Sequence, residues 1–190
     1  MKTWELVCAI AGVVVVLIGL PTAFYVGFIR PLRFKAEHDG LTGLFNRSTF
    51  FKLAEKAFRE AKLKHEDVAF LVMDVDNFKR LNDTEGHSAG DARLRAVAAA
   101  ILASVREHDV AGRVGGEEFA VLLVGCGKNH APAAAERMRA AIEKTGSTAS
   151  IGVADRASVH GVSDLFRMAD MAMYAAKQTG KNKFMVYDRV

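Results

Sequence analysis

The sequence predicts an α/β protein, with an N-terminal transmembrane helix ahead of one domain in which helices and strands alternate. Two observations point there. From Trp4 to Ile29 the only charged residue is Glu5, and Leu6–Leu20 is apolar throughout. From Asp39 onward, segments with apolar residues at helical period alternate with short apolar runs of strand length. A chain of 190 residues has room for one ordinary domain plus such an extra element.

The N-terminal stretch of about 25 residues makes roughly 37 Å of helix, enough to cross a bilayer with some tilt. A cleaved signal peptide would have a shorter core, about 7–15 residues, and a small-residue cleavage site; Thr22-Ala23-Phe24 matches that poorly. Residues 1–30 therefore read as a retained signal anchor, 31–38 as a short juxtamembrane linker and 39–190 as the domain. Lys2 alone precedes the span, whereas Arg30, Arg33 and Lys35 follow it. The positive-inside rule then expects a single pass through the inner membrane, with everything from Arg30 in the cytoplasm. Gly19, Ala23 and Gly27 lie four apart, a small-residue face along which two such helices can approach in lipid, although small residues are common in membrane helices generally.

Charge excludes one class of partner. The net +4 comes without a long basic run or a basic stripe with interleaved aromatics, so no nucleic-acid polymer is expected to bind. Cys8 falls in the span and Cys126 just past a strand, placements that forbid a disulfide and suit a reducing cytoplasm.

Within the domain, the elements are expected in the following order. Thr49–Lys64 is a helix, with Phe50, Leu53, Ala54, Ala57, Phe58 and Ala61 on one face. Val68–Met73 is a buried strand running into Asp74-Val75-Asp76. Asp91–Val105 is a buried helix with Asp91 as cap. Val110–Val114 and Phe119–Val124 pair as a hairpin around Gly115-Gly116. Ala131–Lys144 is a helix opened by Pro132, and Thr148–Ala154 a strand. Ser163–Thr179 is a helix with Ser163 as N-cap and Gly180 as stop, and Lys183–Val186 closes the sheet.

Three segments carry chemistry. Gly115-Gly116-Glu117-Glu118-Phe119 presents adjacent carboxylates on a tight turn; such a pair repels, and a fold that fixes it usually supplies a cation. Asp74 and Asp76, at the end of a strand and followed by Lys79, suit a metal–phosphate site, or equally the turn and cap positions where Asp is common. Gly86-His87-Ser88-Ala89-Gly90-Asp91 is a loop entering a helix, with Asn82 and Asp91 able to pair with a purine edge.

Together with Asp39-Gly40-Leu41-Thr42-Gly43-Leu44-Phe45-Asn46-Arg47, Ser150–Ala154 and Tyr174–Lys183, these segments resemble the GGDEF-domain family of diguanylate cyclases, over about residues 36–187. The resemblance implies a cyclase- and polymerase-palm-like domain with a central, mainly antiparallel sheet flanked by helices. It implies condensation of two GTP into cyclic di-GMP with two Mg²⁺ or Mn²⁺ per active site. Asp74, the Val75 carbonyl, Glu117 and Glu118 match the metal positions, and Glu117 also matches the group that activates the attacking 3′-hydroxyl. Glu117, Glu118 and Lys79 are then the catalytic residues, Lys79 steadying the phosphates in the transition state. Asn82 and Asp91 match the guanine-reading pair, with Phe78 and His87 lining the pocket. Lys177 and Lys181 match two basic residues that grip the triphosphate; lysine at 181 keeps the charge of the more usual arginine but loses its bidentate fork. Because each domain holds one GTP, a homodimer is implied.

Arg106 and Asp109 match the family's inhibitory site for its own product, by their spacing from Gly115. Read alone, they are equally a charge pair at a helix end. A catalytically silent module that only binds cyclic di-GMP is the alternative, against which stand the intact Asp74, Lys79, Asn82, Glu117 and Glu118. A cyclase for another base is disfavoured by Asp91, which can accept from the N1–H and amino group of guanine.

Overall fold

The computed structural model describes residues 3–4, 17, 20–156, 159 and 161–188. The chain divides into two compact units, Met1–His38 and Asp39–Val190.

Most of the expected membrane span, and Cys8 within it, lies outside the described residues. Among the described residues no helix is long and apolar enough to cross a membrane. The described part of the first unit is nonetheless helical: α1 (Leu20–Phe24), a π-helical turn (Tyr25–Ile29) and α2 (Arg30–Glu37). The expected linker 31–38 is thus mostly helix. Arg33 and Glu37 pair one turn apart at 3.7 Å, and the Phe34 and His38 rings stack with centroids 4.0 Å apart.

In the second unit six strands form one sheet, β1 (Phe45–Asn46), β2 (Val68–Val75), β3 (Val110–Arg113), β4 (Glu118–Val124), β5 (Ala149–Asp155) and β6 (Phe184–Val186). Their order is β1-β3-β4-β2-β5-β6; the four inner strands are antiparallel, and each edge strand is parallel to its neighbour. The mainly antiparallel sheet expected from the sequence is therefore present. Among the described residues five helices accompany it: α3 (Arg47–Leu63), α4 (Phe78–Glu85), α5 (His87–Ser104), α6 (Ala131–Glu143) and α7 (Val162–Gln178).

Strand β2 is buried on both faces, which explains its unbroken apolar run. Ala69, Leu71, Met73 and Val75 pack with α5 and α6 through Leu94, Val97, Ile101, Met138 and Ile142. Val68, Phe70 and Val72 pack on the opposite face with α3 and α7 through Phe50, Phe58, Leu165, Met168 and Met173. A side chain at Gly152 would collide with the Ala169 carbonyl and the Met173 amide, so β5 and α7 meet backbone to backbone. That contact sets the C-terminal end of α7 over the ends of the central strands.

Several boundaries differ from the sequence reading. Helix α5 begins at His87, so Asp91 lies inside it and is not its cap. Gly86 ends α4 through its N–H to the Asn82 carbonyl (3.0 Å) and also starts α5, with no capping side chain. Ser163 is not the cap of α7; the helix starts at Val162, whose N–H donates to Glu55 Oε1 on α3 at 3.3 Å. Helix α4, eight residues with only Phe78 buried, is not among the elements expected from the sequence.

Candidate active site

Asp74 and Glu118 are direct register partners at the ends of β2 and β4, and Ser150 of β5 faces Asp74 from the other side. The ladder continues one step further, the Val75 N–H donating to the Glu117 carbonyl at 3.1 Å. The acidic turn and the aspartate therefore meet on the two middle strands of the sheet. The hairpin around the double glycine forms as expected, closed by Val114 N–H on the Glu118 carbonyl at 2.9 Å. A Cβ at Gly115 would meet the Glu118 carboxylate, so the glycine leaves that side chain its observed place.

Two arginines clamp the turn, and neither was singled out from the sequence. Arg113 donates from Nε (3.2 Å) and Nη2 (2.5 Å) to the Gly116 carbonyl, and its Nη1 pairs with Asp39 Oδ1 at 3.1 Å. Arg47 Nη1 donates to the Val114 carbonyl at 2.7 Å. Asp39 also accepts from the Thr42 N–H and hydroxyl, so the Asp39–Thr42 segment is a scaffold for the turn.

Asp74 is only 6% exposed, and its Oδ2 lies 2.7 Å from Lys177 Nζ. Burial nevertheless pushes its carboxyl above the ordinary carboxylate range, outweighing the lysine. Glu117 is pushed up as well, first by burial and then by the negative charge of Asp74. Asp74, Glu117 and Glu118, with the Val75 carbonyl beside them, form a hard-oxygen donor set of the kind a divalent cation takes. Among the described residues no three such side chains yet converge at ligating distance, and an ammonium occupies Asp74. The donor chemistry of these side chains fits a divalent cation.

Asp76 does something different from Asp74, contrary to their reading as a pair. Its Oδ1 accepts from Ser150 Oγ at 2.7 Å, and its Oδ2 from the Asn182 N–H at 3.0 Å.

The residues expected to read the base lie on α4 and α5. Phe78 is buried at the start of α4, and the Asn82 amide oxygen is buried without a partner. A Cβ at Gly90 would overlap that oxygen, so the glycine makes room for Asn82. An unmet buried acceptor calls for a donor, which a purine amino group supplies. Asp91, His87 and Lys79 are exposed on the same two helices. Lys181 stands on the loop after α7, its Nζ donating to Asn77 Oδ1 at 2.7 Å.

Arg106 and Asp109 do come together, but Asp109 is largely occupied by the backbone. It accepts from the Arg106 N–H (2.8 Å) and the Val124 N–H (3.0 Å). Both line a cavity of about 310 Å³ with Cys126, His130 and Arg137. Burial pushes the Cys126 thiol up, as suits a packing residue.

Residues 36–183 match the family model described as "Diguanylate cyclase, GGDEF domain". Among curated relatives, the probable diguanylate cyclase DgcT of Escherichia coli is 40% identical over 167 residues, which cover 82% of this chain and 36% of that protein. The chain thus spans little more than a third of that relative's length. Among solved structures, the GGDEF domain of DgcB from Caulobacter crescentus in complex with c-di-GMP aligns with a TM-score of 0.77 at 31% identity, covering 81% of this chain and 97% of that one. The active GGEEF domain of a diguanylate cyclase from Vibrio cholerae aligns with a TM-score of 0.71 at 31% identity, over 76% of this chain and 98% of that one.

Proposed function

The chain belongs to the diguanylate cyclase GGDEF-domain family, and from that membership we propose that it condenses two GTP into cyclic di-GMP and two pyrophosphates. The observation that carries this reading is the buried Asp74 carboxylate, register-paired with Glu118 and electrostatically coupled to Glu117. In each of two steps the 3′-oxygen of one GTP bonds to the α-phosphorus of the other, and the bond to pyrophosphate breaks. Glu117 takes the hydroxyl proton. Asp74, the Val75 carbonyl, Glu117 and Glu118 would hold two Mg²⁺ or Mn²⁺, which when bound neutralise charge on the α-phosphate and the leaving oxygen. Lys79, Lys177 and Lys181 neutralise phosphate oxygens as point charges. Asp91 accepts from the guanine N1–H and amino group, Asn82 offers its unmet oxygen to the same edge, and Phe78 and His87 wall the pocket.

One domain holds one GTP, so the active unit is a homodimer with two sites facing each other. Arg106 and Asp109 serve as the feedback site for cyclic di-GMP. Residues 1–30 anchor the protein by a single pass in the inner membrane with the domain in the cytoplasm. The support for that placement is the apolar run and the charges that follow it.

The test is to supply the full-length protein, in detergent or vesicles, with GTP and Mg²⁺ and to identify the nucleotides by chromatography and mass. Cyclic di-GMP and pyrophosphate in a ratio of about 1:2 are expected, and Glu118→Gln should slow their formation on the order of 100-fold. Cyclic di-GMP binding without GTP turnover would replace this reading by the silent binding module.

A further inference from the structure

Residues 179–183 join α7 to β6 and carry Lys181. Helix α7 ends at Gln178 and the chain turns away at Gly180 (φ +115°), with the Lys181 N–H bonded to the Ala176 carbonyl at 3.0 Å in a Schellman-type stop. Lys181 (φ 61°) and Asn182 (φ 45°) then both adopt left-handed backbone, which side chains enter at a cost. Two such residues in succession persist only where their surroundings hold them.

The holding groups can be named. The Asn182 N–H donates to Asp76 Oδ2 at 3.0 Å. Its side chain accepts from Arg139 Nη1 at 2.9 Å and donates to Glu143 Oε1 at 2.8 Å. Arg139 is itself fixed by two further bonds to Glu136, at 2.9 and 2.8 Å. The second oxygen of Asp76 is anchored on the buried Ser150 hydroxyl at 2.7 Å. Held in this way, the strap sets Lys181 Nζ on Asn77 Oδ1, and the lysine charge is felt at the Asp74 carboxyl.

We propose that Asp76 is a positioning residue: braced on Ser150, it fixes the Lys181–Asn182 strap so that the Lys181 ammonium meets the nucleotide phosphates. This rests on the reading of Lys181 as a triphosphate contact. The chemistry explains why such a brace is needed. A guanidinium can find a phosphate through its own planar fork, but an ammonium on a flexible stem is a point charge, and its placement has to come from the backbone. A single strand end thereby carries both a metal-type carboxylate, Asp74, and the anchor of a phosphate contact, Asp76.

The test is a double-mutant cycle on full-length protein, read by calorimetric binding of a non-hydrolysable GTP analogue. Asp76→Asn and Lys181→Ala are each expected to weaken binding about tenfold, and the double variant to bind no more weakly than Lys181→Ala alone. In turnover, Asp76→Asn should raise the KM for GTP by a larger factor than it lowers kcat. Should Asp76→Asn not fold, Asn182→Ala in the same cycle reports on the strap. Additive losses, or unchanged affinity in the Asp76 variant, would overturn the positioning role while leaving the cyclase reading intact. A wild-type protein that binds no GTP analogue overturns both.

Discussion

Asp74 combines burial, an ion pair with Lys177 and the nearby negative charge of Asp76, and its response to pH follows from their balance. Its folded carboxyl titrates above the ordinary range, chiefly through burial, and that of Glu117 does too. The native state therefore binds these protons more readily than the unfolded chain. With no cation bound, their contribution to stability falls as pH rises from about 4 through the raised folded range, and stays low above it. A divalent cation holds the ionised forms, so its stabilising effect should grow with pH and vanish on acidification through the same window. Thermal unfolding in chelator and in Mg²⁺, at pH 5 and pH 8, measures this directly. Asp74→Asn should raise the chelator Tm at pH 8 by about 2–4 °C and abolish the Mg²⁺ response. A variant that keeps the full Mg²⁺ shift would remove Asp74 from the cation site.

At the scale of elements, local signals were legible in the sequence and long-range ones were not. The acidic turn could be read because two glycines between apolar runs form a short-range pattern, and β2 because its core is continuously apolar. Helix α4 could not be read, because eight residues with one buried side chain have no periodicity to display. The starts of α5 and α7 were misplaced because glycines and a distant Glu55, instead of Asp91 and Ser163, lie at those ends. The clamp on the turn was invisible for the same reason, since Arg113 and Asp39 are 74 positions apart. Arg113→Ala frees the Gly116 carbonyl and leaves Asp39 without its arginine. A loss of about 2 kcal/mol in chemical denaturation is expected, with a cyclase rate roughly tenfold lower. Arg113→Lys should recover little of either, because an ammonium cannot hold Gly116 and Asp39 together. An unchanged rate in the alanine variant would mean that the turn keeps its shape without the clamp.

At the scale of the molecule, the proposed cyclase reading gives each domain one strand-end site, with Asp74 on β2 and the Glu117–Glu118 turn before β4. A ring of two nucleotides needs two 3′-hydroxyls and two α-phosphates, each pair brought into line. In the proposed homodimer a second copy of the site, related by a two-fold axis, would meet that need with the same residues used twice. This symmetry has a measurable signature. When wild-type chains are mixed with an equal amount of Glu118→Gln chains and allowed to exchange in detergent, about a quarter of the pairs contain two intact sites. Cyclic di-GMP formation per total chain should then fall to about a quarter of the pure wild-type rate, tracking the square of the intact fraction. A self-sufficient domain would instead give about half, because each intact chain would keep its own rate. The two outcomes diverge further as the inactive chain is added in excess, so a titration separates them without knowledge of the exchange constant. A linear dependence across that titration would overturn the facing-site arrangement, whatever the domain's activity.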